Sequence, residues 1–561
     1  MKKYKKLSEI TRGIKKADLC LKNARIINVF TEEIITGDIA IKDGTIVGIG
    51  QYDGKENIDL CGRYVSPGFI DAHLHLESTL VTPPELVHTA AVSGTTTFIV
   101  DPHETANVAG LAGVDYILEQ TENVYGNVFV MMPSCVPATD IDDNGAIIDA
   151  RLMKPYLEHP RVLGLGEVMD CYKVVTGDSQ MHKKLELFAN MPIDGHAPGL
   201  SDKDLSAYVM AGIMTDHECT TYEYAMKQRR LGMTVHIREG SAAKNLDAIV
   251  SGIIKNRSSI DGFCFCTDDK HIEDIKREGH ISYNVRRSIE LGMNPVSAIK
   301  MATLNPAICY GLKHLGAIAP GYEASLIIYD NIEKVEINSV YYKGTQVIEE
   351  EEQEIKECPK ELKDTIHVQD FNIEKLQLEI QDCYHVITIH DGEIITTDET
   401  LNIEDGKTWK DYDYIRKIAV IERHKNSGKV GVGFIRGFDI SDGAIASSVS
   451  HDSHNIIAVG SSDSDIELAV NELIRVGGGY TIVKDGKVYE TLELPIMGIM
   501  TDAGADNVNI KLERMIKKAQ EMGVSKGIDP FITLSFMALP VIPEIRITPR
   551  GVYLANERKF V

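Results

Sequence analysis

The sequence predicts an α/β protein built round a (β/α)8 TIM barrel. Three observations predict it: eight apolar runs that each end in polar residues, helical segments between them, and strand-rich stretches on either side. The runs are 68–75, 96–103, 128–134, 162–167, 192–196, 212–217, 233–238 and 262–268. Short apolar strands alternating with helices, of which 84–93, 108–122, 202–211 and 246–255 are the clearest, are the signature of parallel βα units. Residues 66–310 hold all eight, close to the roughly 250 residues such a barrel takes. Its active site belongs at the C-terminal strand ends, where these runs carry their polar residues.

The flanks come next. Residues 19–65 alternate as strands do, and Asp43-Gly44 marks a two-residue hairpin turn. A matching stretch returns at 316–347, so residues 1–65 and 311–347 are expected to form one small β-sandwich from both flanks. Residues 348–364, opening with Ile348-Glu349-Glu350-Glu351-Glu352-Gln353-Glu354, read as a solvated charged linker. Residues 365–561 mix strands (417–421, 481–484) with helices (465–476, 509–521) and read as a separate C-terminal α+β domain.

Length and composition agree with this division. A chain of 561 residues exceeds one core and suggests two to four domains. Its formal charge of −24 opposes non-specific binding of nucleic acid or an anionic membrane, but not of a small neutral substrate. The ten cysteines are scattered without a C-x-x-C pair, which speaks against a zinc ribbon. Cys264 and Cys266, two apart on a strand, suit core packing. The basic N-terminus leads into no apolar signal segment, and no run of eighteen apolar residues occurs, so a cytoplasmic protein is expected.

The strand ends carry the chemistry. His73 and His75, two apart, share one face of the first strand and can grip one cation together. Strand 4 ends in Glu167, strand 5 in His196, strand 6 in His217 and strand 8 in Asp268, with Asp269 as the neighbouring alternative. Each has a plain structural reading, such as a surface hydrogen bond or a helix cap. Together, four imidazoles and two carboxylates at one end of one barrel predict a metal site. Six ligands exceed what one tetrahedral ion needs, so two divalent ions are expected. Glu167 would bridge, with His73, His75 and Asp268 on one ion and His196 and His217 on the other. Iron, manganese and zinc all suit such ligands. Metal binding brings the pKa of water from 15.7 towards about 7, supplying hydroxide, and Asp268 is placed to carry its proton to a leaving group.

Several stretches carry a resemblance to a known family: 67–79, Asp101-Pro102-His103-Glu104, Gly166-Glu167-Val168-Met169, Asp194-Gly195-His196, Arg238-Glu239-Gly240-Ser241 and Cys266-Thr267-Asp268-Asp269. Two more lie near the C-terminus, His451-Asp452-Ser453-His454-Asn455 and 536–543. Over nearly its whole length the sequence resembles the adenine deaminase family of the amidohydrolase superfamily. The resemblance implies hydrolysis of adenine to hypoxanthine and ammonia, with manganese or iron ahead of zinc. It also implies Glu167 where many relatives have a bridging carboxylated lysine. Adenine and further copies of the chain are the expected partners.

For that reaction Glu104 is the candidate acid stabilising charge on the purine ring, with Asp101 and His103 beside it in the pocket. The plain reading of this segment is a helix-capping turn. Arg238 and Glu239 either orient the base or pair with each other. His451 and His454, three apart, read as surface histidines, with a reach over the barrel mouth or another ion as alternatives. Two rivals remain. A binuclear amidohydrolase acting on a cyclic amide is opposed by Glu167, and a non-catalytic scaffold by six filled ligand positions. A cytidine-deaminase-type zinc fold lacks its Pro-Cys-x-x-Cys signature.

Overall fold

All eight apolar runs contain strands. The computed structural model describes residues 2–561 except 242, 351, 352, 354, 380 and 392–394. Its barrel strands are β1 Phe69–Leu74, β2 Thr95–Val100, β3 Asn127–Met132 and β4 Val162–Val168, then β5 Ile193–Gly195, β6 Thr215–Asp216, β7 Thr234–Arg238 and β8 Phe263–Cys266. They pair in parallel as two arcs, β1 to β5 and β6 to β8. Met214 N–H donates to Ile193 O (3.1 Å) between the arcs, and Asp268 N–H donates to His73 O (3.0 Å) where β8 returns to β1. β1, β2 and β8 are buried throughout, because helices cover parallel strands on the outer face. Ile70, Ala72, Ile99 and Met131 share one apolar cluster with Cys264 and Cys266, which are free thiols packed as core residues.

The flanking strands from both ends of the barrel are hydrogen-bonded together into one eight-stranded sheet. Its order is Thr345–Gln346, Glu336–Tyr342, Leu326–Asn331, Tyr64–Pro67, Ala17–Asn28, Glu33–Lys42 and Thr45–Gly50, with Gly54–Asp59 also on Ala17–Asn28. Leu326 opposite Pro67 joins the two flanks, and Leu21, Ile26, Ile39, Val65, Leu326 and Ile328 share its core. Asp43 (φ 48°) and Gly44 (φ 71°) are both left-handed, as a tight hairpin between Lys42 and Thr45 requires. An N-terminal helix, Lys2–Thr11, was not expected; its Ile10 packs on Ala17, Ala40 and Val47.

Beyond the flanking sheet, the linker residues 351, 352 and 354 lie outside the described residues. The remainder is pinned to the barrel: Lys356 Nζ meets Glu122 (2.7 Å) and its carbonyl accepts from Gln120 (2.9 Å). A second eight-stranded sheet follows. On its strand Ile415–Ile421, side chains alternate faces. Ala419 and Ile421 pack on Ile466, Ala469 and Leu473 of the helix Asp463–Val476. Ile418 and Val420 pack with Val508, Leu512 and Phe531 in a cluster that continues into Leu76, Leu80 and Val108 of the barrel. Thr501 N–H donates to Leu80 O (2.9 Å), and Asn455 Nδ2 to Asp143 O (2.7 Å), tying this sheet region to the barrel's C-terminal end. No helix among the described residues is long and apolar enough to cross a membrane.

Candidate metal centre

The strand ends bring the six expected ligands together round Glu167. Its Oε1 lies 3.3 Å from His75 Nε2 and 3.9 Å from His73 Nε2; its Oε2 lies 2.9 Å from His196 Nδ1 and 3.3 Å from His217 Nε2. One carboxylate thus presents an oxygen to each pair of imidazoles. Asp101 fixes it from behind by accepting the Glu167 N–H at Oδ2 (2.8 Å). The approach depends on Gly166, where a Cβ would stand 2.2 Å from that oxygen. His75 Nδ1 meets the Asp101 carbonyl (2.9 Å), which places the proton there and leaves Nε2 for the centre.

Asp268 Oδ1 stands 3.0 Å from His75 Nε2 and 3.7 Å from His73 Nε2, while Oδ2 accepts from Arg238 Nη1 (2.6 Å). Its backbone is left-handed (φ 59°), which turns the carboxylate in from the end of β8. Asp269, the alternative, bonds the Ser78 hydroxyl and also offers an oxygen within 4.8 Å of the ligand atoms of His75 and Asp268.

The electrostatics suit cations. Burial, then the charge of His217, holds the His73 imidazole well below its usual range, in the neutral ligating form. Burial pushes Glu167 up, but His217, His196 and His75 outweigh it and hold the carboxyl ionised. Burial likewise raises Asp268, and the Arg238 guanidinium and His75 bring it well below the carboxylate range. His73 Nε2 is buried without a hydrogen-bond partner. The sets His73–His75–Glu167 and Glu167–His196–His217 each offer three ligand atoms within 4.8 Å of one another. Four imidazoles gathered round two ionised carboxylates, with a neutral His73 whose ring nitrogen is orphaned, fit divalent metal ions.

A cavity of about 590 Å³ opens above them. Its floor includes His75, Glu167, His217 and Asp268. Met169, Pro198 and Tyr224 also line it, as do Phe536, Leu539 and Ile542 of the C-terminal region. His103 and Glu104 line it too. His103 Nδ1 is 3.4 Å from Glu167 Oε1 and its Nε2 is 3.5 Å from Glu104 Oε1. The expected turn exists, since the helix His103–Ala109 starts here, but no side chain caps it and Glu104 turns into the cavity.

Four expectations need correction. His451 and His454 are not surface histidines: both are buried and bonded to Glu104, His451 Nδ1 to Oε1 at 2.6 Å and His454 Nε2 to Oε2. Glu104 is no resting acid. Burial raises its carboxyl, but His451, His454 and His103 hold it well below the usual range. Burial lowers His451, yet Glu104 and Asp269 carry it up to about 10. Arg238 and Glu239 do not pair with each other. Arg238 binds Glu218 and Asp268, and Glu239 turns to Lys244 (3.6 Å). Arg238 lines the cavity, whereas Glu239 and Asp101 lie outside its lining. Glu218 was missed: it is 3.4 Å from His217 Nε2, and its signal was its place directly after a strand-end histidine.

Eight parallel strands with imidazoles and carboxylates at one end define a metal-dependent hydrolase of the amidohydrolase class, and the amidohydrolase family model matches residues 64–347. The adenine deaminase C-terminal domain model matches 393–559. The chain is 54% identical to the adenine deaminase of Desulfitobacterium hafniense (strain Y51), over 100% of this chain and 99% of the relative. It is 45% identical to that of Clostridium acetobutylicum and 43% identical to adenine deaminase 2 of Carboxydothermus hydrogenoformans, each over 98% of both chains. The chain belongs to the adenine deaminase family.

Proposed function

We propose that this protein hydrolyses adenine to hypoxanthine and ammonia, using two divalent metal ions, manganese or iron, as a cytoplasmic homo-oligomer. The observation that carries the reaction is the full-length 54% identity to an adenine deaminase, C-terminal region included. Glu167 would hold both ions, with His73, His75 and Asp268 on one side and His196 and His217 on the other. Bound there, the ions would supply Lewis acidity and bring the pKa of a water towards neutrality.

The side chains do the rest. Asp268 Oδ1 takes a proton from the attacking water and hands it to the departing amine. Arg238 holds Oδ2, which leaves Oδ1 turned towards His73 and His75 and the reacting water. Glu104, a carboxylate at rest, faces the purine ring and would relay a proton to it as negative charge develops on its nitrogens. His103 spans Glu167 and Glu104 and faces the same space. Asp101 serves by orienting Glu167. Phe536, Leu539 and Ile542 cover a flat aromatic base and exclude bulk water.

The test is an adenine assay on protein reconstituted separately with iron, manganese and zinc. Equimolar hypoxanthine and ammonia are expected, with zinc the least active. Opening of a cyclic amide without release of ammonia from adenine contradicts the proposal.

A further inference from the structure

The chemistry above gives His451 and His454 no part, although both bond Glu104. His454 Nδ1 accepts the Ser450 N–H (3.2 Å), which places its own proton on Nε2, facing Glu104 Oε2. A neutral imidazole thereby caps one carboxylate oxygen. The other, Oε1, takes His451 Nδ1 at 2.6 Å and stands 3.5 Å from His103 Nε2. His451 is fixed by its backbone N–H on Ser535 Oγ (3.1 Å) and by its ring stacked on Phe536, 4.9 Å apart and 22° from parallel. Asp452 Oδ1 lies 3.9 Å from its Nδ1 and Asp269 Oδ2 lies 3.9 Å from its Nε2. Glu104, Asp452 and Asp269 thus face one buried ring, an arrangement that favours imidazolium.

We propose that His451 is a positioning residue that keeps a proton at Glu104 Oε1, making the His451–Glu104 pair the acid for the purine ring. This rests on the adenine reading and deepens it. The protons balance. As the water oxygen bonds to C6, the pair's proton passes from Nδ1 through Oε1 to a ring nitrogen, and His451 becomes neutral. One water proton goes through Asp268 to the amine, the C6–N bond breaks and ammonia leaves. The other, released as C6–O becomes a carbonyl, refills the pair. The ring keeps the borrowed proton, so one water is consumed and no outside acid is needed.

Two substitutions in the metal-loaded full chain test this. H451Q is expected to keep its metal and its KM for adenine, to lower kcat by about 10²–10⁴-fold, and to abolish the alkaline fall of kcat. H454Q exchanges one neutral donor for another, so it is expected to lower kcat by less than about tenfold and to keep that alkaline fall. An H451Q protein within about threefold of the unsubstituted kcat, with the same pH profile, overturns the proposal, as does H454Q proving the more damaging. Should H451Q not fold, histidine ¹⁵N NMR of the zinc-loaded unsubstituted chain at about pH 8 reads the same claim. The ring identified by its NOE to Phe536, on which His451 stacks, is expected to be protonated on both nitrogens, and a neutral ring there overturns the proposal. An unsubstituted chain inactive on adenine defeats the reaction assignment instead, and the NMR result still locates the proton.

Discussion

Glu167 turns Oε1 towards His75, 3.3 Å away, and Oε2 towards His196, 2.9 Å away, so one side chain joins two imidazole pairs. Glutamine at this position keeps the shape but loses the charge and one acceptor oxygen. Glu167→Gln is expected to lower bound metal from two ions per chain. Its turnover should fall by at least the roughly 100-fold that loss of a supporting partner costs a metal site. Elemental analysis of the purified variant checks this; two ions and full activity contradict the bridging role.

Glu104 stands over the cavity without touching the ligand set directly; His103 lies between it and Glu167. Glu104→Gln is therefore expected to keep both ions and lower kcat by about 10²–10⁴-fold. Paired metal analysis and steady-state kinetics separate this outcome from that of Glu167→Gln. Undiminished turnover removes Glu104 from the chemistry.

Arg238 is buried between Glu218 and Asp268 and bonds both. Arg238→Met leaves two buried carboxylates without their cation, and breaking such a pair costs about 3–5 kcal/mol. Urea denaturation of the metal-free protein should show a loss of this order. A variant as stable as the unsubstituted chain contradicts the ion-pair account.

His236 on β7 is buried, and burial, then the charge of His217, lowers its imidazole to about 3. The unfolded chain binds a proton near pH 6.5 that the folded chain refuses, so this group's contribution is complete above that pH and is lost as pH falls towards 3. Going from pH 7 to pH 5, the stability difference between the unsubstituted chain and His236→Gln should move in favour of the variant by about 2 kcal/mol. Denaturation curves of both proteins at the two pH values measure it; a difference independent of pH contradicts the neutral buried ring.

The barrel and the cluster of candidate ligands at its strand ends were legible because each signal is local. His73 and His75 follow the period of a strand, and Glu167, His196, His217 and Asp268 each end an apolar run. The pairing alternative for Arg238 and Glu239 failed because Arg238, at the end of β7, turns to Glu218 and Asp268, while Glu239, beyond the strand, turns to Lys244. His451 and Glu104 are 347 positions apart. Their contact depends on how the second sheet docks at the barrel mouth, and no local pattern around His451 records it. The state of Glu104 was misread for the same reason: a carboxyl in an apolar cleft would be an acid, whereas one facing three imidazoles is a carboxylate.

The most direct test is turnover of adenine in ¹⁸O-labelled water by the manganese-loaded chain, with the metal-free chain alongside. The account predicts hypoxanthine carrying one labelled oxygen and one ammonia per hypoxanthine, both dependent on metal. Unlabelled product, ring-opened product, or equal activity without metal would contradict it.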